Sequence, residues 1–345
     1  MDILPSFDHA QLGLKMALLS PRFDALVDTH FDGKTTKLTI WREIIICEGI
    51  GPEPTLSVNI DDKMVDFPLP DRPLPNKIRF RDLYIEYIDH SVIAFLRSNK
   101  QIWDRNGTDL LIRIESDTNV IQPIWDVLAS EIWPIFATGL RHLSIDDDDH
   151  LDNLRRLVSP TILTDLDQLL SIDTYSLFPD AIGDHFDGPN ATSAGQALTK
   201  WLHTPSKNGQ SKGLICVDYD DEVNIDWVNS FKEAFLRATA SVSYKVRLEL
   251  YDSTPIGTFE LVNERTKEKL TLEKMSRYGG GEWLLKRCPI SEKAADQWEN
   301  NANLNYVQFN LCGGKSSTGP CRNQQVKKKK RVKASKYRRI ARKTN

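Results

Sequence analysis

Asp109-Leu-Leu-Ile-Arg-Ile-Glu115, then Val120-Ile-Gln-Pro-Ile-Trp-Asp-Val-Leu-Ala-Ser-Glu-Ile-Trp-Pro-Ile-Phe136, then Leu140-Arg-His-Leu-Ser-Ile145 is the stretch on which the fold turns. The outer pieces are short and rich in Leu and Ile, as strands are. The middle piece sets Ile121, Ile124, Val127, Leu128 and Ile132 on one side of a long helix. Two strands separated by a helix are most simply parallel, because a parallel pair needs a crossover connection.

The alternation extends both ways. Upstream, Phe80 to Ile88 reads as a strand and Ser91 to Trp103 as a helix. Downstream, Leu151 to Val158 and Thr161 to Leu169 read as helices and Leu170 to Tyr175 as a strand. Such β-then-α units fit an open doubly wound sheet or a short solenoid. No unit carries a glycine-rich phosphate loop and the units vary in length, which favours a leucine-rich-repeat-like arc.

Around this region the pattern changes. Residues 8–31 place Leu12, Met16, Leu19, Phe23, Leu26 and Val27 at spacings of three and four, a stripe interrupted at Pro21. Ser20 as cap and Pro21 in a first turn predict two short helices meeting there. Lys37 to Glu48 is strand-like, and Thr55 to Phe67 reads as a hairpin turning at Asp61-Asp62. Residues 179–192 are rich in Asp, Gly, Pro and Asn, a linker composition.

Beyond the linker, helices are expected at Ser193 to Leu202 and at Asp226 to Thr239, the second with Val228, Phe231, Phe235 and Leu236 facing inward. Strands are expected at Leu214 to Asp218, Tyr244 to Tyr251, Thr258 to Val262, Glu268 to Leu272 and Trp283 to Cys288. A helix at Ser291 to Asn300 and a last strand at Tyr306 to Leu311 complete an antiparallel α+β domain. The fold class expected is therefore α/β plus α+β. Its parts are helices in 1–32, a β-rich then β/α repeat-like region in 33–178, the linker 179–192, an α+β domain in 193–312 and a disordered basic tail in 313–345.

A chain of 345 residues with 40% hydrophobic content can bury substantial cores. No apolar run approaches the roughly 18–20 residues of a membrane span, and the amino terminus lacks a secretory pattern. A cytoplasmic or nuclear location, away from membranes, is expected. The five cysteines, Cys47, Cys216, Cys288, Cys312 and Cys321, are odd in number and scattered, which fits a reducing compartment. The net charge of −3 hides a division: Lys327 to Lys343 contains eleven Lys or Arg and no acid, and subtracting these leaves −14 on the rest.

Motifs for chemistry are few. Asp146-Asp-Asp-Asp-His150 lacks the spaced ligands and sharp-turn glycine of a calcium loop, and reads as a helix start with acids at the positive end of the dipole. Gly314-Lys-Ser316 follows a strand, but Phe309 stands where a phosphate loop needs its first glycine. Cys312 and Cys321 alone do not make a zinc site, which takes about four ligands. The seven histidines form no metal-binding or nucleophile-activating motif. No catalytic, metal or cofactor-binding residue is assigned; an enzyme hidden in the β/α region would need a deep pocket with converging titratable groups. In the tail, Lys327, Lys328, Lys329, Lys330, Arg331 and Lys333 have the density of a nuclear localisation signal read by an importin. The longer basic run could instead hold phosphate backbones without sequence preference, or be a solvated end.

Gln11-Leu-Gly-Leu-Lys-Met-Ala-Leu-Leu-Ser-Pro-Arg-Phe-Asp-Ala-Leu-Val-Asp-Thr-His-Phe31 resembles the start of F-box domain-containing proteins expanded in plant-parasitic nematodes. Trp201-Leu-His-Thr-Pro205, Phe231 to Thr239, Phe259 to Leu272 and Trp283 to Ile290 resemble the carboxy-terminal region of the same proteins, so the similarity runs over about residues 3 to 311. It implies the substrate-recognition subunit of an SCF-type ubiquitin ligase, or a degenerate relative acting as an interaction module. Leu12, Leu14, Leu18, Leu19, Arg22 and Phe23 would dock on a Skp-type adaptor joined to a cullin, and the following regions would hold an unidentified target protein. Ile3-Leu-Pro-Ser-Phe7 reads as the end of a shortened first F-box helix.

Overall fold

The computed structural model describes residues 22–23, 25–26, 29, 39–41, 44–49, 53–60, 63–74, 78–116, 121–145, 148–180, 193–207, 209–217, 226–250, 256–275, 281–290 and 305–313. The fold is mixed α/β. Its elements begin with strands β1 (Thr39–Trp41), β2 (Ile44–Cys47), β3 (Thr55–Ile60), β4 (Lys63–Pro68), β5 (Ile78–Phe80) and β6 (Leu83–Ile85). Then come α1 (His90–Ser98), α2 (Lys100–Asn106), β7 (Thr108–Ser116), α3 (Ile121–Val127), α4 (Trp133–Phe136) and β8 (Leu140–Ile145). They are followed by α5 (Asp148–Leu157), α6 (Ile162–Asp165), β9 (Ser171–Tyr175), α7 (Ala194–His203), β10 (Lys212–Val217) and α8 (Asp226–Arg237). The series closes with β11 (Tyr244–Leu250), β12 (Phe259–Asn263), β13 (Glu268–Lys274), β14 (Gly281–Pro289) and β15 (Asn305–Gly313).

Thirteen strands form one sheet in the order β12-β13-β14-β11-β10-β9-β8-β7-β15-β6-β2-β3-β4, and β1 pairs with β5 alone. From β2 to β11 neighbours are parallel; β12, β13 and β14 at one end and β3 and β4 at the other are antiparallel. β3 and β4 pair antiparallel as expected, with Ile60 opposite Lys63, while Asp61 and Asp62 lie outside the described residues.

From β6 through β7, β8, β9 and β10 to β11 the chain always advances the same way along the sheet. Right-handed crossovers that advance one way put all their helices on one face. Burial agrees. Strand residues of one parity, such as Ile85, Leu110, Ile112, Leu143, Ile172, Leu214, Val246 and Leu285, are fully buried in a single core with Phe95, Trp103, Phe136, Leu154, Leu198, Trp201 and Phe235 from the helices. On the other parity Tyr84, Leu111, Ser144, Asp173, Ile215 and Arg247 are half-buried, while Ser57, His142, Ser171, Gln308 and Lys286 are buried among their neighbours on the sheet. The described helices therefore leave one face of the sheet uncovered.

β15 departs from the sequence reading. Expected as the last strand of an antiparallel domain, it inserts in parallel between β6 and β7, with Val307 opposite both Leu83 and Leu110. Its Val307, Phe309 and Leu311 are buried among side chains from far upstream, and Phe309 meets Phe136 edge-on at 5.9 Å. Short-range periodicity carries no signal for such a return. β10 and β11 are likewise parallel members of the same sheet, so only β11 to β14 form the antiparallel series expected there.

Smaller departures have identifiable causes. The run Phe80 to Ile88 divides at Arg81-Asp82, where the chain passes from the β1–β5 pair into the large sheet. The helix Ser91 to Trp103 breaks at Asn99, whose amide donates to the Phe95 carbonyl at 2.8 Å while its side-chain oxygen accepts from the Leu74 amide at 2.7 Å. The long helix of 120–136 contains a π turn over Leu128–Ile132, with Trp133 N–H bonded to the Leu128 carbonyl just before Pro134, which lacks an N–H. The buried side becomes Trp125, Leu128, Ile132, Ile135 and Phe136, with Ile124 and Val127 at its margin. Leu236 is exposed, because an α-helix turns about 100° between it and the buried Phe235.

Gly139, in the short turn before β8, lies where the chain passes the end of α2. A Cβ there would stand 2.5 Å from the Trp103 carbonyl oxygen. Gly139→Ala is expected to cost about 1–3 kcal/mol, because backbone must move; equilibrium denaturation measures it.

Candidate functional site

The uncovered face carries rows of side chains set by register. One row runs Asp66, Ser57, Ile45, Tyr84, Gln308, Leu111, Ser144, Asp173, Ile215, Arg247, Leu284 and Glu273 across twelve strands. The adjacent row holds Asp109, His142, Ser171, Gly213, Lys245, Lys286 and Thr271. The first row mixes polar with apolar positions, whereas the second is polar throughout apart from Gly213.

Titratable groups converge at β7, β8 and β9. Thr108 pairs with Leu140 but Asp109 pairs with His142, so Arg141 is the extra residue of a bulge that brings His142 directly opposite Asp109. Its Nε2 lies 3.2 Å from Ser144 Oγ, 3.4 Å from Asp173 Oδ2 and 3.7 Å from Asp109 Oδ1. Burial by itself would lower the His142 pKa, but the hydrogen bond the imidazole donates to Asp173 and the charges of Asp109 and Asp173 prevail and raise it above the ordinary 6.5.

The geometry limits the chemistry. In a nucleophilic triad the acid holds one imidazole nitrogen and the hydroxyl meets the other. Here both carboxylates and the Ser144 hydroxyl converge on Nε2, so the cluster is built to hold a proton or another cation between two acids. Among the described residues no three His, Cys, Asp or Glu side chains are arranged to hold a metal ion.

A group whose pKa is raised by folding adds stability below its unfolded value and loses it as pH rises through its folded value. The imidazole NMR titration of His142 is expected to have a midpoint above 6.5, falling in Asp173→Asn. A wild-type midpoint at or below 6.5 would contradict the pairing.

A second polar group is structural. Glu268 and Arg287 are buried on the helix side and bonded at 2.7 Å and 3.1 Å. Next to them, burial first, and then the charges of Arg287 and Lys212, lower the His203 pKa to about 3, so His203 stays neutral while its Nε2 meets the Tyr244 hydroxyl at 3.2 Å. Lys212 reaches the Thr204 carbonyl at 2.7 Å at the end of α7, and burial lowers its pKa to about 8. Burial pushes the Cys216 thiol up to about 12, which removes it as a nucleophile at neutral pH. On the helix side, Ile88, Ile93 and Val127 line a groove of about 430 Å³ beside the Arg97–Glu131 ion pair.

Of the residues proposed to dock on an adaptor, Arg22 and Phe23 are helical and exposed, in a segment where Thr29 Oγ1 donates to the Ala25 carbonyl at 2.6 Å. Leu12, Leu14, Leu18 and Leu19 lie outside the described residues, as do Lys327, Lys328, Lys329, Lys330, Arg331 and Lys333. Asp146 and Asp147 also lie outside them, while Asp149 is exposed in the first turn of α5 and His150 is buried against Trp125 at 5.4 Å. Sequence reading did not single out Asp109, His142 and Asp173. The available signal was a polar residue at the matching place in three successive strands: Asp109-Leu-Leu-Ile, His142-Leu-Ser-Ile and Ser171-Ile-Asp-Thr.

No protein-family model, curated protein or solved structure matches this chain. Among the described residues no helix is long and apolar enough to cross a membrane.

Proposed function

We propose that this chain is a protein-interaction subunit: the substrate receptor of an SCF-type ubiquitin ligase, or an F-box relative that retains the target-holding part. The observation that carries this reading is the one-way series of parallel strands with helices on one side, which among the described residues leaves the opposite face of the sheet without a helix. In this reading the β/α region is a leucine-rich-repeat-like arc, and its uncovered face holds the target. The resemblance of residues 11–31 to an F-box supplies the adaptor end, with Leu12, Leu14, Leu18, Leu19, Arg22 and Phe23 as anchors for a Skp-type adaptor. A pull-down with such an adaptor tests the ligase role. Capture that weakens about tenfold or more in Phe23→Ala supports it; no capture by this chain, nor by one carrying a complete F-box first helix, sinks it.

A second reading rests on the basic run of eleven Lys or Arg between Lys327 and Lys343. In it the tail directs the chain to the nucleus through an importin or holds nucleic acid by charge. Deleting Val326 to Asn345 should then abolish nuclear accumulation or salt-dependent nucleic-acid binding, and an unchanged distribution and binding would mark the tail as inert.

A further inference from the structure

We infer that the cluster of Asp109, His142, Ser171 and Asp173 is a receptor for a lysine or arginine side chain of a polypeptide partner, the incoming cation replacing the proton on His142. This deepens the interaction reading above, since it names what the uncovered face takes.

Four observations converge. Asp109 and Asp173 flank His142 on the uncovered face, and their side chains keep 20% and 29% of their surface open. Ser171 stands directly opposite His142 in the ladder and shares its pleat side with Asp173. It is only 9% exposed, yet its Oγ makes no hydrogen bond to a described residue, and neither does Asp173 Oδ1. Buried acceptors left in that state call for a donor from outside. An ammonium brings three donors and a guanidinium five.

The surroundings select a side chain rather than a small ion. Leu111 lies one strand from Ser144 and Ile215 one strand from Asp173 in the same row, both half-buried, so an aliphatic stem can lie along one or the other with its charge at the acids. The chain's own Arg247, two strands from Asp173, is held by Glu249 at 2.6 Å. The charge of −14 outside the basic tail draws basic partners at long range.

The proton balance is simple. With His142 protonated, one positive charge offsets two carboxylates; when the cation seats, the proton leaves to solvent. Among the described residues, Asp109 from β7 and Asp173 from β9 are the charges that raise the His142 pKa, while α5 meets the opposite side of β8 through the buried Leu151 and Leu154. Affinity should therefore rise as pH is raised through the His142 titration.

The test uses the full chain, a fluorescent lysine-rich decapeptide and the same peptide acetylated on its lysines, read by anisotropy. Asp173→Asn is expected to weaken the lysine peptide by about tenfold or more, with Asp109→Asn and Ser171→Ala weakening it in the same direction. Glu233→Gln, the same charge change on the far side of the molecule, should alter it by less than about twofold. Acetylation should remove binding, and His142→Gln should remove the pH dependence while keeping the binding. Equal losses for Asp173→Asn and Glu233→Gln, or none for any cluster variant, would overturn the inference. A tenfold gain on deleting Val326 to Asn345 would assign the cluster to the chain's own tail instead. No adaptor enters this assay, so it and the ligase reading fail separately.

Discussion

Arg287→Ala is expected to destabilise the fold by about 3–5 kcal/mol, because it strands the Glu268 carboxylate in the core. Glu268 is 0% exposed and Arg287 2%. The guanidinium donates to Glu268 through two nitrogens and to the Ala240 carbonyl at 2.9 Å, and it lies between Phe235 and Tyr244 with ring centroids at 5.3 Å and 6.0 Å. Glu268 also accepts from Ser241 Oγ and the Val242 amide, each at 2.8 Å. The pair thus ties β13 and β14 to the segment leading into β11. Burial pushes the Glu268 pKa up, but the hydrogen bonds from Arg287 and Ser241 prevail and hold it below the ordinary 4.5. A depressed carboxyl pKa adds stability above the unfolded value and loses it as pH falls through the folded one. Denaturant unfolding of wild type should show this acid loss below pH 4.5, and the double variant Glu268→Leu with Arg287→Met should flatten it. A loss under about 1 kcal/mol for Arg287→Ala would mean that the pair is not the buried tie described.

Ending the chain after residue 304 should have a still larger effect: loss of cooperative folding. The cut removes only β15 and the residues after it, but β15 lies between β6 and β7 and pairs with β7 over nine positions, from Asn305 with Thr108 to Gly313 with Ser116. Without it the backbone donors and acceptors along two interior strands lose their ladder, and the places of Val307, Phe309 and Leu311 in the core are emptied. Near-ultraviolet circular dichroism and thermal scans of the shortened chain should show no native signature and no sharp transition. A sigmoidal melt near the full-length midpoint would show that β6 and β7 close on each other unaided.

Local order was legible in the residues. The antiparallel pair of β3 and β4, the Ser193 cap whose Oγ accepts from the Gln196 amide, the strand at Leu140 to Ile145 and the β-then-α alternation all follow from periodicity and end chemistry within a few residues. The break at Asn99 was not legible, because it depends on the Leu74 amide that lies 25 positions away.

The residues alone therefore specify most of the described strands and helices and the division of charge between body and tail. Three things came only with the three-dimensional packing: that β15 returns to the middle of the sheet, that β9, β10 and β11 continue one ladder, and that Asp109, His142 and Asp173 meet. The difference is one of range. A helix or a turn is written in contacts a few residues apart, whereas strand order and register follow from how buried faces pack across the whole chain.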